Sequence, residues 1–554
     1  MDPTPTSTMT TTTASAPAPP AAPIPPSLTV LASTRAIVSG RLTAATIVIS
    51  LTSGKVTSVF HSVLPPTAFP PGTPYKDYSP HILMPGLVDA HVHLNEPGRT
   101  EWEGFETGTR AAAFGGVTTV IDMPLNAIPP TTTVAALEEK VDAARGKCWV
   151  DVGFYGGVVP GNVGRGELRA LVERGVRGFK GFLIDSGVEE FPAVSPADIE
   201  AAMLELADQP TTLMFHAEME PDVTTTTTTN SSSNSSNTSS TTDLTSPSPT
   251  SSTCSPPTAY SSFLSSRPST YETAAISTIL SLAPLAPNLP LHIVHLSAME
   301  AIPLLKAARA RGINITAETC FHYLSLAAEE IKDGDTRHKC CPPIRSQSNQ
   351  DALWEELYKH AADEGVIKTV VSDHSPCTPA LKVLPAHIPP GSSNNDKTSE
   401  REEETGNFFT AWGGISSVGL GLPILWTELE RRRALSSHTT ATDTQTSTSS
   451  STSALEDIVQ WCCANTARQV GLAGRKGDLS VGYDGDVCVF DETAEWDVQP
   501  DTMLFRNKCS PYQGRRLKGV VRETWVRGMK VYERDGGFVG GRAGGRLLLE
   551  ARRG

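Results

Sequence analysis

ILMPGLVDAHVH, residues Ile82 to His93, is the stretch on which the reading of the fold turns. It is a nearly unbroken apolar run ending in two histidines, and strands buried on both faces read in this way. Seven runs of the same character follow: Gly116–Met123, Cys148–Tyr155, Gly175–Ile184, Thr212–His216, Leu291–Leu296, Ile313–Ala317 and Val366–Ser372. Helix signals lie between them. Thr100-Glu101-Trp102-Glu103 has the form of a capping box, and the pattern after it stops at Gly115-Gly116. Ser195-Pro196 sets a cap residue before a proline at the first helical position. Ser297-Ala298-Met299-Glu300 forms a further box whose helix stops at Gly312. Strand and helix alternating eight times predict an α/β fold with a parallel sheet and helices outside. A closed (β/α)8 TIM barrel is the simplest solution, and an open doubly wound sheet is the alternative.

Outside this alternation the chain changes character. Residues 27–84 alternate and turn like antiparallel β, as in Ala45–Leu51, Ser53-Gly54-Lys55 and Val56–Phe60. Asp486–Asp491 and Val520–Val531, with Gly528 at a turn, read alike. Two distant ends of one type predict a small composite β-sandwich domain, residues 27–84 and 479–545, with the barrel inserted as residues 85–478. Residues 1–26 are almost all Pro, Ala, Thr and Ser, the composition of a disordered tail. Polar low-complexity tracts at about 224–257, 389–407 and 436–453 read as surface insertions, which cost little because closure entropy grows only logarithmically with loop length.

Bulk composition excludes several classes. Across 554 residues, 46 Lys and Arg face 60 Asp and Glu, a net charge of −14, so no nucleic-acid footprint is expected. No run reaches the roughly 18 apolar residues of a membrane helix, so no membrane association is expected. The first 34 residues hold no Lys or Arg, which argues against a secretory or transit leader. Ten cysteines, with adjacent pairs at Cys340-Cys341 and Cys462-Cys463 and no CxxC, suit neither a disulfide framework nor a zinc ribbon. A reducing, cytoplasmic compartment is the expectation.

The chemistry gathers at strand ends. His91 and His93 stand at i and i+2, the same face of an extended chain, where both imidazoles reach one ion. At the ends of later strands stand Lys180, His216, His295 and Asp373. Catalytic groups of such barrels collect at that mouth. Taken alone, Lys180 reads as an amine reaching out of the barrel; beside four histidines and an aspartate it makes sense with its charge reversed, for instance by carbamylation with CO2. Nitrogen and oxygen ligands without thiolate suit two divalent ions, zinc first, with cobalt, manganese or iron as alternatives, roughly 3.5–4 Å apart and sharing a hydroxide. His292 and His374 read as structural, and His322 as lying beside the ligands rather than among them.

With those residues on the page, the chain resembles the cyclic amidohydrolases of the metal-dependent amidohydrolase superfamily, their allantoinase group above all. The likeness rests on Met84–His93 with Asn95-Glu96-Pro97-Gly98-Arg99, on Met123-Pro124-Leu125-Asn126, and on Phe179-Lys180-Gly181-Phe182-Leu183. Lys339–Arg345 (KCCPPIR), Ser372–Cys377 (SDHSPC) and Lys508–Tyr512 (KCSPY) add to it. The resemblance implies His91 and His93 on one metal, His216 and His295 on the other, Lys180 as an N6-carboxylysine bridging both, and Asp373 as first-metal ligand and catalytic proton carrier. It implies substrate contacts from Asn95, Asn126, Cys341, Ser375 and Gly414, with Cys341 standing where the familiar pattern has serine. The implied substrate is allantoin, hydrolysed to allantoate, and the implied assembly a homotetramer. Asn95 stands where similar dihydroorotases carry an arginine for the substrate carboxylate; its absence removes a charge-assisted bond of about 1.5–3 kcal/mol and favours a ring without a carboxylate.

Rival readings remain open at this point. The same architecture serves dihydropyrimidinases, hydantoinases and dihydroorotases, and some dihydropyrimidinase-like proteins act as non-catalytic scaffolds. Gly413-Gly414-Ile415-Ser416-Ser417 prompts a serine amidase as a third class, against the simpler reading of a glycine loop whose backbone touches substrate.

Overall fold

The computed structural model describes residues 27–221, 255–359, 364–388, 405–439, 451–541 and 543–552. The expected tail 1–26 lies outside the described residues, as does most of each of the three polar tracts. At the third tract, helices Gly421–Thr439 and Ser451–Val459 reach in from both sides, so the expected insertion is helical at its edges.

Eight strands form the barrel: β1 Leu87–Val92, β2 Val117–Asp122, β3 Asp151–Phe154, β4 Phe179–Phe182, β5 Leu213–His216, β6 Leu291–Ile293, β7 Ile315–Cys320 and β8 Ile367–Val371. Each pairs in parallel with the next, from β1 to β3 and from β4 to β8. The Gly156-Gly157 bridge and the Arg177 N–H on Phe154 O join β3 to β4. A parallel bridge between Val92 and His374, with the His93 N–H on His374 O at 2.8 Å, closes β8 onto β1. At least one helix follows each strand; those after β1, β2 and β4, for example, are Phe105–Phe114, Val134–Ala144 and Pro196–Leu206. The closed barrel, not the open sheet, is the fold.

Helix starts separate local signals from tertiary ones. Ser195 makes the full capping box, accepting from the Asp198 N–H while Asp198 accepts from its own. The boxes expected at Thr100 and Ser297 do not form. Helix Phe105–Phe114 begins after Gly104, and the Phe105 N–H goes to Glu96 Oε2 at 2.9 Å. Ser297 Oγ donates instead to Pro343 O, while the Ser297 and Ala298 amides both go to Glu272 Oε2. A carboxylate from a neighbouring segment replaces the local hydroxyl in both places.

The two chain ends meet in one nine-stranded sheet. Strand Val487–Asp497 lies antiparallel between Arg516–Val526 and Ile82–Pro85, and Leu28–Val38 continues the order beyond Ile82–Pro85. Leu31, Val38, Ile47, Ile49, Leu479, Val487 and Val489 form a hydrophobic core of their own, separate from the large core of the barrel. Because Ile82–Pro85 runs through Gly86 into β1, the sheet holds the strand that carries the two leading histidines.

Candidate metal centre

Five of the eight strand endings supply the six residues. His91 is the fifth residue of β1 and His93 follows its end; Lys180 lies within β4; His216 ends β5; His295 and Asp373 follow β6 and β8. All six are at least nine-tenths buried at the C-terminal mouth of the barrel. His91 Nε2 stands 3.1 Å from Lys180 Nζ and 3.2 Å from Asp373 Oδ1, and His93 Nε2 stands 3.6 Å from that same oxygen. His216 Nδ1 faces His295 Nε2 at 3.1 Å, and the His91 and His295 rings are 5.4 Å apart. The structure therefore brings all six together, with Lys180 turned inward.

In His91, His93 and His216 the ring nitrogen that does not face the centre is tethered. His91 Nδ1 meets Glu318 Oε1 at 2.5 Å, His93 Nδ1 lies 3.3 Å from Asn126 Nδ2, and His216 Nε2 meets Glu218 Oε2 at 2.8 Å. Metal-binding histidines need such a tether, because it fixes tautomer and ring direction. Burial holds His91, His93, His216 and His295 below the usual imidazole range, so each offers a neutral lone pair. Burial also brings the Lys180 amine down to about 8. For Asp373 burial acts upward, but His93, Lys180 and His322 hold the carboxyl below its ordinary value.

This donor set fits divalent metal. Four neutral imidazoles and a carboxylate converge in a buried site with no thiolate among the six, and His91, His93 and Asp373 bring their ligand atoms within 4.8 Å of one another. His295 Nδ1 and both His322 nitrogens are buried without a hydrogen-bond partner in the chain, a cost a protein fold ordinarily avoids. The backbone is bent to the same end. Asn95, Asn126, His295 and Asp373 are four of seven described non-glycine residues at positive φ, and all four follow barrel strands. Left-handed backbone at such residues costs free energy and collects at functional sites.

A cavity of about 350 Å³ opens over the centre. Asn126, Cys341, Ser375 and Gly414 line it, together with five of the six residues gathered at the centre; His91 is not in the lining. Gly414 is required there, since a Cβ would sit 2.1 Å from Ser375 O. Asn95 is not part of the lining: it is buried, with Nδ2 on Pro376 O at 3.4 Å. Two cations that the sequence reading did not single out line the cavity, Arg267 and Lys339. Arg267 Nη1 is paired at 2.6 Å with Glu218, the carboxylate that tethers His216. Ser416 and Ser417 are buried outside the lining, with Ser417 Oγ on Ser372 O, so the glycine loop meets the cavity as backbone and the serine reading has no nucleophile.

Glu318 also escaped the sequence reading. It is fully buried on β7 and holds His91 by one oxygen, His292 and Gln469 by the other, at 3.2 Å each. The signal was present, since a carboxylate in the run ITAETC raises the same burial question as Lys180 in its strand.

Comparison with known proteins agrees with this geometry. Residues 82–531 match the model of the amidohydrolase family. The chain is 45% identical to the allantoinase of Saccharomyces cerevisiae over 95% of this chain and 100% of that one. It is 41% identical to the allantoinase of Streptomyces avermitilis, over 94% and 98% respectively. Among solved structures, the L-hydantoinase (dihydropyrimidinase) from Arthrobacter aurescens superposes with a TM-score of 0.72 at 25% identity, covering 94% of this chain and 99% of that one. The chain belongs to the amidohydrolase family, within its allantoinase group.

Proposed function

We infer that this hydrolase of cyclic amides opens the hydantoin ring of allantoin to give allantoate, a step of ureide nitrogen catabolism. The observation that carries the reading is the convergence of six ligand residues beneath a 350 Å³ cavity, in a chain matched end to end by curated allantoinases. His91 and His93 would hold one divalent ion and His216 and His295 another, most simply zinc. Bound there, they supply Lewis acidity for the ring carbonyl and for water. Lys180 would bridge them as a carbamate: its amine, already easily deprotonated, adds to CO2 and releases a proton to become an anionic ligand. The remaining chemistry belongs to the chain. Asp373 takes the proton of the attacking water on its carboxylate and returns it to the ring nitrogen as that nitrogen leaves. Asn126, Ser375 and the Gly414 backbone orient the ring, and Glu318 and Glu218 keep the histidines aimed.

The charge of the pocket supports allantoin over dihydroorotate. Arg267 is matched one to one by Glu218, so the one guanidinium in the lining is already neutralised. A substrate carboxylate would have to displace that pair or draw Lys339 off the Phe409 and Ala411 carbonyls it holds, whereas a neutral ureide would do neither. Free thiols at all described cysteines support a reducing, cytoplasmic setting. A homotetramer carries over from the resemblance, and light scattering tests it.

The experiment is a steady-state assay of the zinc-loaded protein on allantoin, dihydroorotate, dihydrouracil and hydantoin. The expected result is the highest kcat/KM on allantoin, by at least about a hundredfold over dihydroorotate, in line with the loss of a charged contact. Preference for any other ring reassigns the substrate.

A further inference from the structure

The barrel has a second cavity, at the opposite end of its strands. Its volume is about 510 Å³, larger than that over the metal ligands. Thr212, Pro290 and Asn314 line it, each immediately preceding the first residue of β5, β6 or β7. That end is remote from the substrate mouth, and nothing in the proposed reaction uses it.

Its chemistry is one-sided. Arg309, Lys368, Arg468 and Arg552 line it, and no carboxylate does among the described residues. Arg468 donates to Asn465 Oδ1 at 2.6 Å, and Arg552 donates to the carbonyls of Arg177 and Gln469. All three acceptors are neutral, so among the described residues neither of these two charges meets an anion. Burial, reinforced by the nearby Arg177, brings the Arg552 guanidinium down to about 10, a strain that a bound anion relieves.

The inner wall leads to the catalytic end. Thr316, His292 and Gln469 line the cavity, and His292 Nδ1 meets Thr316 Oγ1 at 2.8 Å. His292 and Gln469 both hold Glu318, whose other oxygen holds His91. Two hydrogen bonds thus separate the cavity wall from a metal ligand.

We propose that this cavity is a second ligand site, for a small molecule carrying oxyanion groups, and that its occupant acts on the metal centre through Glu318. Phosphate and carboxylate share the required chemistry: paired oxygens for guanidinium forks, with hydroxyl and amide donors around them.

The test uses the full-length, zinc-loaded protein with inorganic phosphate and succinate as probes. Calorimetry reads binding, and transfer of zinc to a chelator reads coupling; neither needs turnover, so the proposal stands or falls apart from the substrate assignment. The expected result is saturable binding of at least one probe, the better probe identifying the oxyanion. Arg468→Glu, an exposed position, and Arg552→Gln should each weaken it about tenfold or more. A saturating probe should change the rate of zinc loss in the wild type and not in Arg468→Glu. No saturable binding, wild-type affinity in both variants, or an identical effect on zinc loss in wild type and Arg468→Glu would overturn the proposal.

Discussion

Single residues decide whether this barrel is a catalyst. Lys180 was legible because an amine in an apolar strand invites a question, and the structure answers it by turning the amine toward His91 and Asp373. Glu318, in an equally apolar strand, posed the same question and was passed over, because its role lies in a contact with His91 that is 227 residues away in sequence. Arg267 was illegible for another reason: it stands on a segment without strand or motif signal, and only the fold brings it to Glu218. Asn95 shows the converse, a motif position that folding carries out of the cavity lining. The account predicts that Glu318→Gln keeps the fold but weakens zinc binding by roughly 10–100-fold, the usual cost of losing a ligand's tether. Metal titration against a chelating dye measures it; unchanged affinity would make Glu318 a packing residue only.

At the level of elements, periodicity located all eight barrel strands, because strands buried on both faces leave an apolar trace that tertiary context does not erase. Helix starts were less secure. Ser195 caps its helix, since Asp198 one turn on completes the box and the site is exposed to no competing group. At Thr100 and Ser297 the local signal lost to Glu96 and Glu272, carboxylates delivered by the fold to amides at the same mouth. A charged acceptor makes the stronger bond, and no local pattern encodes its arrival. Ser195→Ala should therefore lower stability by about 1 kcal/mol and the melting temperature by roughly 2 °C without touching kcat. Calorimetric melting checks the first part; Thr100→Ala, by the same reasoning, should leave the transition in place.

In the molecule as a whole, barrel and sheet are locked by charge as well as by apolar packing. Lys476 is fully buried, with Nζ at 2.6 Å from both Asp151, on β3, and Asp486, and 3.0 Å from Asp484. These three acids bring their oxygens together as metal ligands do, but an ammonium already lies among them. Burial acts against Asp484, yet Lys476 and Lys55 hold its carboxyl low; burial, with Asp151 and Asp484 beside it, moves Asp486 the other way. Asp151 is also held low by Lys476 and Arg527. A carboxyl lowered in the folded state stabilises above its unfolded pKa and loses that contribution as pH falls through it, from about pH 5 downward. Lys476→Met should destabilise by about 3–5 kcal/mol at pH 7, the effect of stripping the partner from buried charge. Its deficit in melting temperature should narrow between pH 7 and pH 4, as the stranded acids protonate; a constant deficit would show packing loss alone. None of this was legible from composition, because the three acids and the lysine read singly as solvated charges.

The central claim is that six side chains gathered from five strand ends hold two divalent ions, with Lys180 between them. Elemental analysis of the purified protein, with Lys180→Ala alongside, tests it most directly. The account predicts two equivalents of divalent metal per wild-type chain, far less in the variant, and partial recovery of metal and turnover when a short carboxylic acid is supplied to stand in for the carbamate. Equal metal content in the two proteins, or full activity in a metal-free wild type, would contradict it.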